Sequence, residues 1–306
     1  MNWFLIALLP PIFWSITNHI DKYLLTKFFN KGAVGSVMIF SASISILLLP
    51  IIAVIHPAVL QKFNPNYLLI AINGSFYLLA TLPYFYALDK DDASLTVPLF
   101  QMIPVFSFIL GYIFLEENLN INQIIGGIII LVASIFISLN ISEIKRIHMK
   151  WDVFLLMVLS SILYSLNFIF FKYFVIETNF FIASFWEYVG FGLFGLFLLI
   201  FVKNYREGFI SVLRINKTQV LAVNITNEIV NIIAKISFNY ATVLAPVALV
   251  WIINGLQPFF VFLFGIMLTA FFPRISKEDI SRKTLAQRGL AILAITIGVY
   301  LVNKSF

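Results

Sequence analysis

Residues that can carry charge or move a proton lie in this chain where hydrocarbon is expected. The stretch "NITNEIVNIIAK", residues 224–235, sits inside the oily run Val220–Phe238, yet it carries Asn224, Thr226, Asn227, Glu228, Asn231 and Lys235. A carboxylate there can exchange a proton or hold a cation, an ammonium can hold an anion, and asparagine amides can orient either. At 100° per residue, positions 224, 228, 231 and 235 fall within about 60° of one another, so they form one helical stripe with Asn227 beside it. A charge at the centre of a membrane helix costs roughly 2.5–3.5 kcal/mol, whereas a Val or Ile returns about 0.3–0.6, so this stripe cannot face lipid. Glu228 and Lys235 are separated by a rise of about 10.5 Å, so each needs a partner on another helix, a water or a ligand. Glu187, in "SFWEY", is a second carboxylate, near the middle of its span and suited to a proton site or a helix–helix hydrogen bond. The sequence reading makes Glu228, with Glu187, the ion-coupling group, and has Lys235 hold a small solute with Asn227 and Asn231. The alternative is a buried polar network that only fixes helix packing.

The elements that must position these groups are membrane spans. The chain is 61% hydrophobic and 11% charged, with 34 Phe among 306 residues, more apolar surface than a water-soluble fold can hide. Ten runs are long enough to cross a bilayer core, at 3–26, 33–55, 67–88, 93–115, 120–140, 152–175, 181–202, 217–240, 244–271 and 285–303. The first lacks a basic start and a small-residue cleavage site, so it reads as a span rather than a cleaved signal. The runs lack strand alternation, which leaves helices. If the first loop faces side B, fifteen Lys and Arg fall on B, only Lys62 and Lys304 on the other side, and Lys22, Lys172 and Lys235 inside spans. Basic residues gather in cytoplasmic loops, so B is expected to be the cytoplasm, with both termini outside an inner (plasma) membrane. The basic balance is therefore topology, not a nucleic-acid footprint. The absence of cysteine excludes disulfides and thiolate metal sites.

The chain also repeats itself. "FWSITNHIDKYLL" (13–25) aligns with "LYSLNFIFFKYFV" (163–175) at an offset of 150, pairing Trp14 with Tyr164, Ser15 with Ser165 and Lys22 with Lys172. "FYALDKDDASLTVPLFQMIPVF" (85–106) aligns with "NYATVLAPVALVWIINGLQPFF" (239–260) at 154, pairing Pro104 with Pro258. The same offset carries Asn227 onto Asn73, and the matching first-half stripe is Asn73, Tyr77, Thr81 and Tyr84. Duplication with five spans per copy forces the copies into opposite orientations. The expected fold is an all-α membrane protein of ten helices in two inverted repeats, 1–140 and 152–306, joined by a cytoplasmic linker at 141–151, with a site near the midplane. Gln101, Trp251, Asn254 and Gln257 lie in the two proline-bearing helices, whose expected kinks at Pro104 and Pro258 would free carbonyls to shape that site. Tyr77 or Trp251 offers a ring for a planar or cationic ligand.

The segment "YALDKDDASLTVPLFQMIPVFSFILGYIFLEENLNINQIIGGIIILVAS" resembles an EamA-type half of the drug/metabolite transporter superfamily, with its mid-helix proline, "FLEE" helix end and Gly-Gly final helix. "YATVLAPVALVWIINGLQPFFVFLFG" and "GLAILAITIGVYLV" resemble the same pattern in the second copy, which carries no acid matching Glu116 and inserts "PRISKEDISRK". The resemblance implies ten helices around a central cavity, alternating access, and movement of a metabolite, amino acid or drug-like solute, with export favoured.

Other groups read more plainly. Asp21, Lys22 and Lys172 lie toward span ends, where lysine can snorkel, and a cavity role is the alternative. "DKDD" (89–92) precedes a helix start and suits capping better than metal binding. His19, His56 and His148 are scattered, and no HExxH, GxSxG or ATP-binding GxxxxGK[ST] appears, so an enzyme or an ATP-driven pump is not indicated and no cofactor is expected. The expected function is a secondary transporter driven by a proton or counter-substrate, with membrane lipid as its surroundings. A channel or a membrane scaffold is the alternative.

Overall fold

The computed structural model describes residues 3–27, 34–60, 63–90, 97–138, 150–215, 217–271 and 281–304, and these are helical wherever they are regular. The helices are α1 (Trp3–Ala7), α2 (Leu9–Lys27), α3 (Val34–Ser45), α4 (Leu48–Ile55), α5 (Tyr67–Lys90), α6 (Ile103–Leu115) and α7 (Ile121–Ser138). They continue with α8 (Trp151–Glu177), α9 (Phe180–Phe201), α10 (Lys203–Ile215), α11 (Lys217–Leu244), α12 (Val247–Asn254), α13 (Gln257–Phe271) and α14 (Arg282–Asn303). Among the described residues eight helical stretches are long and apolar enough to cross a membrane, and Leu99–Leu115 and Ile121–Ile137 are shorter apolar helices. Most of the 141–151 linker and of the 273–283 insert, Asp91, Asp92 and Phe306 lie outside the described residues.

Four of the apolar runs are not single smooth helices, and proline explains the breaks. Pro104 and Pro258 stand second in α6 and α13, where a missing N–H costs nothing. The chain therefore restarts at these prolines instead of kinking around them, which departs from the mid-helix kink expected from sequence. Before Pro104 runs the 3-10 turn Val97–Met102, and before Pro258 the amides of Gly255 and Leu256 bond three residues back. Pro50 breaks α3 from α4, and Pro10 and Pro11 break α1 from α2, in the same way.

The two breaks are held by matching serines from opposite halves. The Ser15 hydroxyl on α2 lies 3.0 Å from the Gln257 carbonyl and the Ser165 hydroxyl on α8 lies 3.1 Å from the Ile103 carbonyl, each sharing its one proton with a carbonyl four residues back on its own helix, Pro11 and Ser161. The Gln257 and Ile103 carbonyls each belong to the residue before the proline. Helix packing follows the same exchange: α5 lies on α8 as α11 lies on α2, α6 on α8 as α13 on α2, and α7 pairs with α14. A Cβ on Gly190 of α9 would lie 1.8 Å from the Ala71 carbonyl oxygen of α5, and one on Gly74 would lie 2.1 Å from the Glu187 oxygen. That crossing is thus at backbone contact, which small residues permit between membrane helices.

The segment 203–217, which separates the apolar runs 181–202 and 217–240, is for most of its length the amphipathic helix α10. Tyr205, Phe209 and Val212 recur at helical spacing and turn inward, with Phe209 against Phe40 (ring centroids 4.6 Å apart) and Ser36 donating to the Tyr205 carbonyl at 3.2 Å.

Candidate functional site

Polar side chains form three layers along the inside of the bundle. The middle layer is built on the α5–α9 crossing. Glu187 is fully buried and Lys235 is 1% exposed, and their charges meet at 3.1 Å. Glu187 Oε1 also accepts from Asn167 Nδ2 at 3.1 Å, and Oε2 accepts from Asn239 Nδ2 at 2.9 Å. Lys235 donates to Asn167 Oδ1 at 3.3 Å and points at the ring faces of Tyr77 (4.1 Å) and Phe168 (4.5 Å). Asn73 and Asn167 exchange side-chain-to-backbone bonds at 3.0 and 2.9 Å, which ties α5 to α8. A buried charge pair offsets its desolvation only when further hydrogen bonds complete it, and this one has them.

A second layer lies nearer the loops that join α2 to α3 and α10 to α11. Glu228 is 4% exposed, and its Oε1 accepts from Ser45 Oγ at 3.0 Å and Asn231 Nδ2 at 3.2 Å. Asn231 Oδ1 in turn accepts from Trp14 Nε1 at 2.9 Å. Asn227 donates to Asp21 Oδ1 at 2.6 Å, while its own Oδ1 is buried without a partner. Among the described residues neither Asp21 nor Glu228 has a cation within ion-pairing distance. Among the described residues this layer therefore holds two carboxylates solvated by neutral groups.

The third layer closes the opposite end. Glu116 adopts a left-handed backbone (φ 55°), which turns Glu117 back over Gly111. Glu117 Oε1 meets Lys172 at 2.6 Å, and its Oε2 accepts the first amide of α12, from Val247, at 2.9 Å. Lys172 also donates to the Ala245 carbonyl at 2.9 Å. A first-half carboxylate is thus fixed to two second-half elements, and the favourable position of an anion at a helix start adds to the charge pair.

The structure splits the site residues expected from sequence into separate groups. Asn73, Tyr77, Glu187 and Lys235 come together, and Asn227, Asn231 and Glu228 form a different cluster beside Asp21. Lys235 does not meet Asn227 or Asn231; its partners are Glu187 and Asn167. Asn254 and Gln257 bond each other at 3.3 Å at the α12–α13 break, and Gln101 faces that break, 3.3 Å from where a Gly255 Cβ would stand. Trp251 packs on Phe238 and Phe168 and stacks on Trp14. Tyr84 packs on Phe100, with ring centroids 4.6 Å apart. Sequence reasoning missed Asn167, Asn239, Ser45 and the role of Glu117. Asn239 had a signal, since it continues the α11 stripe one turn beyond Lys235.

Comparisons with known proteins agree with this architecture. The EamA-like transporter family matches residues 1–139. The uncharacterized protein MJ1333.1 of Methanocaldococcus jannaschii is 33% identical over 69 residues, which are 22% of this chain and 50% of that protein, so the chain spans half the length of this relative. One solved structure, described only as the crystal structure of a protein, superposes with a TM-score of 0.67 at 14% identity, covering 99% of this chain and 97% of its own. That likeness is one of fold alone. Residues 1–139 are thus an EamA-like transporter domain, of the drug/metabolite transporter superfamily, within an integral multi-pass membrane protein.

Proposed function

We propose that the protein is a secondary active transporter, moving a small solute by alternating access between two inverted five-helix halves, 1–140 and 152–306. The observation that carries this reading is the reciprocal capping of the two helix breaks, Ser15 on Gln257 and Ser165 on Ile103. Each half supplies the serine that completes the other's break, as two copies related by a rotation in the membrane plane would do. The exchanged helix contacts support the same relation. With both termini outside, the Glu117–Lys172 clasp closes the exterior end, and Asp21 and Glu228 lie toward the cytoplasm. Glu228 is the coupling group: a buried carboxylate without a cation can take up a proton or a cationic ligand and release it when the cavity turns. Export is the favoured direction.

For one pair of residues a specific observation favours the packing alternative. Glu187 and Lys235 pair with each other and with the Asn167 and Asn239 amides, although Asn73 Oδ1 and Asn239 Oδ1 stay without a partner, so this pair serves as the floor of the site rather than its moving part. Comparing metabolites inside and outside cells with and without the protein, then reconstituting the solute that differs, tests the reading. Saturable accumulation against a gradient is expected. Conductance without saturation would indicate a channel, and no solute flux at all a scaffold.

A further inference from the structure

Among the charged side chains inside the spans that the structure describes, a set that does not include Lys22, two carboxylates stand apart from the ion pairs. Lys172 meets Glu117 and Lys235 meets Glu187, while Asp21 and Glu228 have no ion-pair partner among the described residues. Asn227 connects the two, since it bonds Asp21 at 2.6 Å and is the chain neighbour of Glu228. Its Oδ1 has no partner although the residue is only 9% exposed. Among the described residues the two carboxylates accept only from neutral donors, and the Asn227 amide oxygen has no donor at all. An anionic or a neutral solute would leave the negative charges uncompensated, whereas a protonated amine supplies both the donors and the charge.

The surroundings distinguish an organic cation from a metal ion. No group of three or more His, Cys, Asp or Glu capable of holding a metal occurs among the described residues. Aromatic faces do adjoin the set: Trp14 bonds Asn231, which bonds Glu228, and it stacks on Trp251 with centroids 6.3 Å apart. Aromatic walls beside carboxylates suit ammonium groups carried on an apolar body.

We infer that the Asp21–Asn227–Glu228 set is the binding site for an organic amine, held as its ammonium ion, which is the solute class the protein carries. The inference rests on the transporter reading for the word "carries", but binding can be measured without it. The purified full-length chain is titrated with 2-phenylethylamine, with the neutral 2-phenylethanol, with the anion phenylacetate, and with sodium chloride at matched ionic strength, following the thermal midpoint. Ethylamine serves as a smaller amine. A saturable rise is expected with an amine alone, and at least a tenfold weaker half-saturation in Asp21→Asn and in Glu228→Gln. Should either variant fail to fold, tryptophan fluorescence of the unaltered protein reports the same event, and Trp14→Phe should remove the amine-dependent change. An equal rise with the alcohol or the acid, saturation by sodium at the same concentrations, no rise with either amine, or an amine response untouched by both variants would overturn the inference. Amine binding without uphill movement would leave the site standing and remove the transporter reading. Uphill movement of an acid would do the reverse.

Discussion

Replacing Lys235 by methionine should be among the most damaging single changes available in the bundle. The ammonium is 1% exposed, lies 3.1 Å from Glu187 and is covered by the Tyr77 and Phe168 rings. Methionine fills much of the volume but leaves Glu187, itself fully buried, with only the Asn167 and Asn239 amides. Stranding one partner of a buried pair costs about 3–5 kcal/mol, whereas removing both charges together is often close to neutral. At about 2–4 °C per kcal/mol, the single variant should melt about 6–20 °C below the parent. Lys235→Met combined with Glu187→Gln should recover at least half of that loss, because a neutral amide can still bond Asn167 and Asn239. The assay is the midpoint of a thermal ramp in detergent, read as the fraction remaining monodisperse. A single variant within about 2 °C of the parent, or a double variant that melts below the single, would refute the buried-pair account.

Three further outcomes follow from particular contacts. Gly190→Ala should prevent correct assembly, because its Cβ would lie 1.8 Å from the backbone oxygen of Ala71, which cannot move without parting α5 from α9; near-parental yield and melting would contradict that crossing. Glu117→Gln removes the charge from the clasp, so a reporter in Ile169→Cys, one turn below Lys172 in a chain with no native cysteine, should react with an external thiol reagent at least several-fold faster; an unchanged rate would show that the clasp does not hold the exterior end. An alkaline phosphatase fused after Phe306 should be active, while an active cytoplasmic reporter at that position would reverse the assigned orientation.

Sequence exposed the fold more fully than the site, for physical reasons visible in single residues. Ten long apolar runs and the 150- and 154-residue offsets need only composition and spacing, and most of each run is helical within its described residues. The stripe on α11 was legible because helical periodicity is a local property. Partner choice was not, since it depends on depth and on which helices touch: Glu187 of α9 meets Lys235 of α11, 48 residues away in sequence, and the Gly74–Gly190 contact that seats α9 against α5 is equally non-local. "FLEE" marked a helix end, but nothing local shows that Glu116 takes the left-handed turn and sends Glu117 inward. The prolines were read as kinks because sequence does not reveal that the preceding turn has already left the α-helix.

The central claim is that Glu228 couples solute movement to a proton gradient, and Glu228→Gln tests it most directly. Glutamine keeps the side-chain shape and can still accept from Ser45 and Asn231, but it cannot titrate. In proteoliposomes given the solute identified by metabolite comparison, the parent should accumulate it under an imposed pH gradient and exchange it when the gradient is absent. The variant should lose accumulation while retaining measurable exchange. Accumulation by Glu228→Gln with the parental pH dependence would contradict the account.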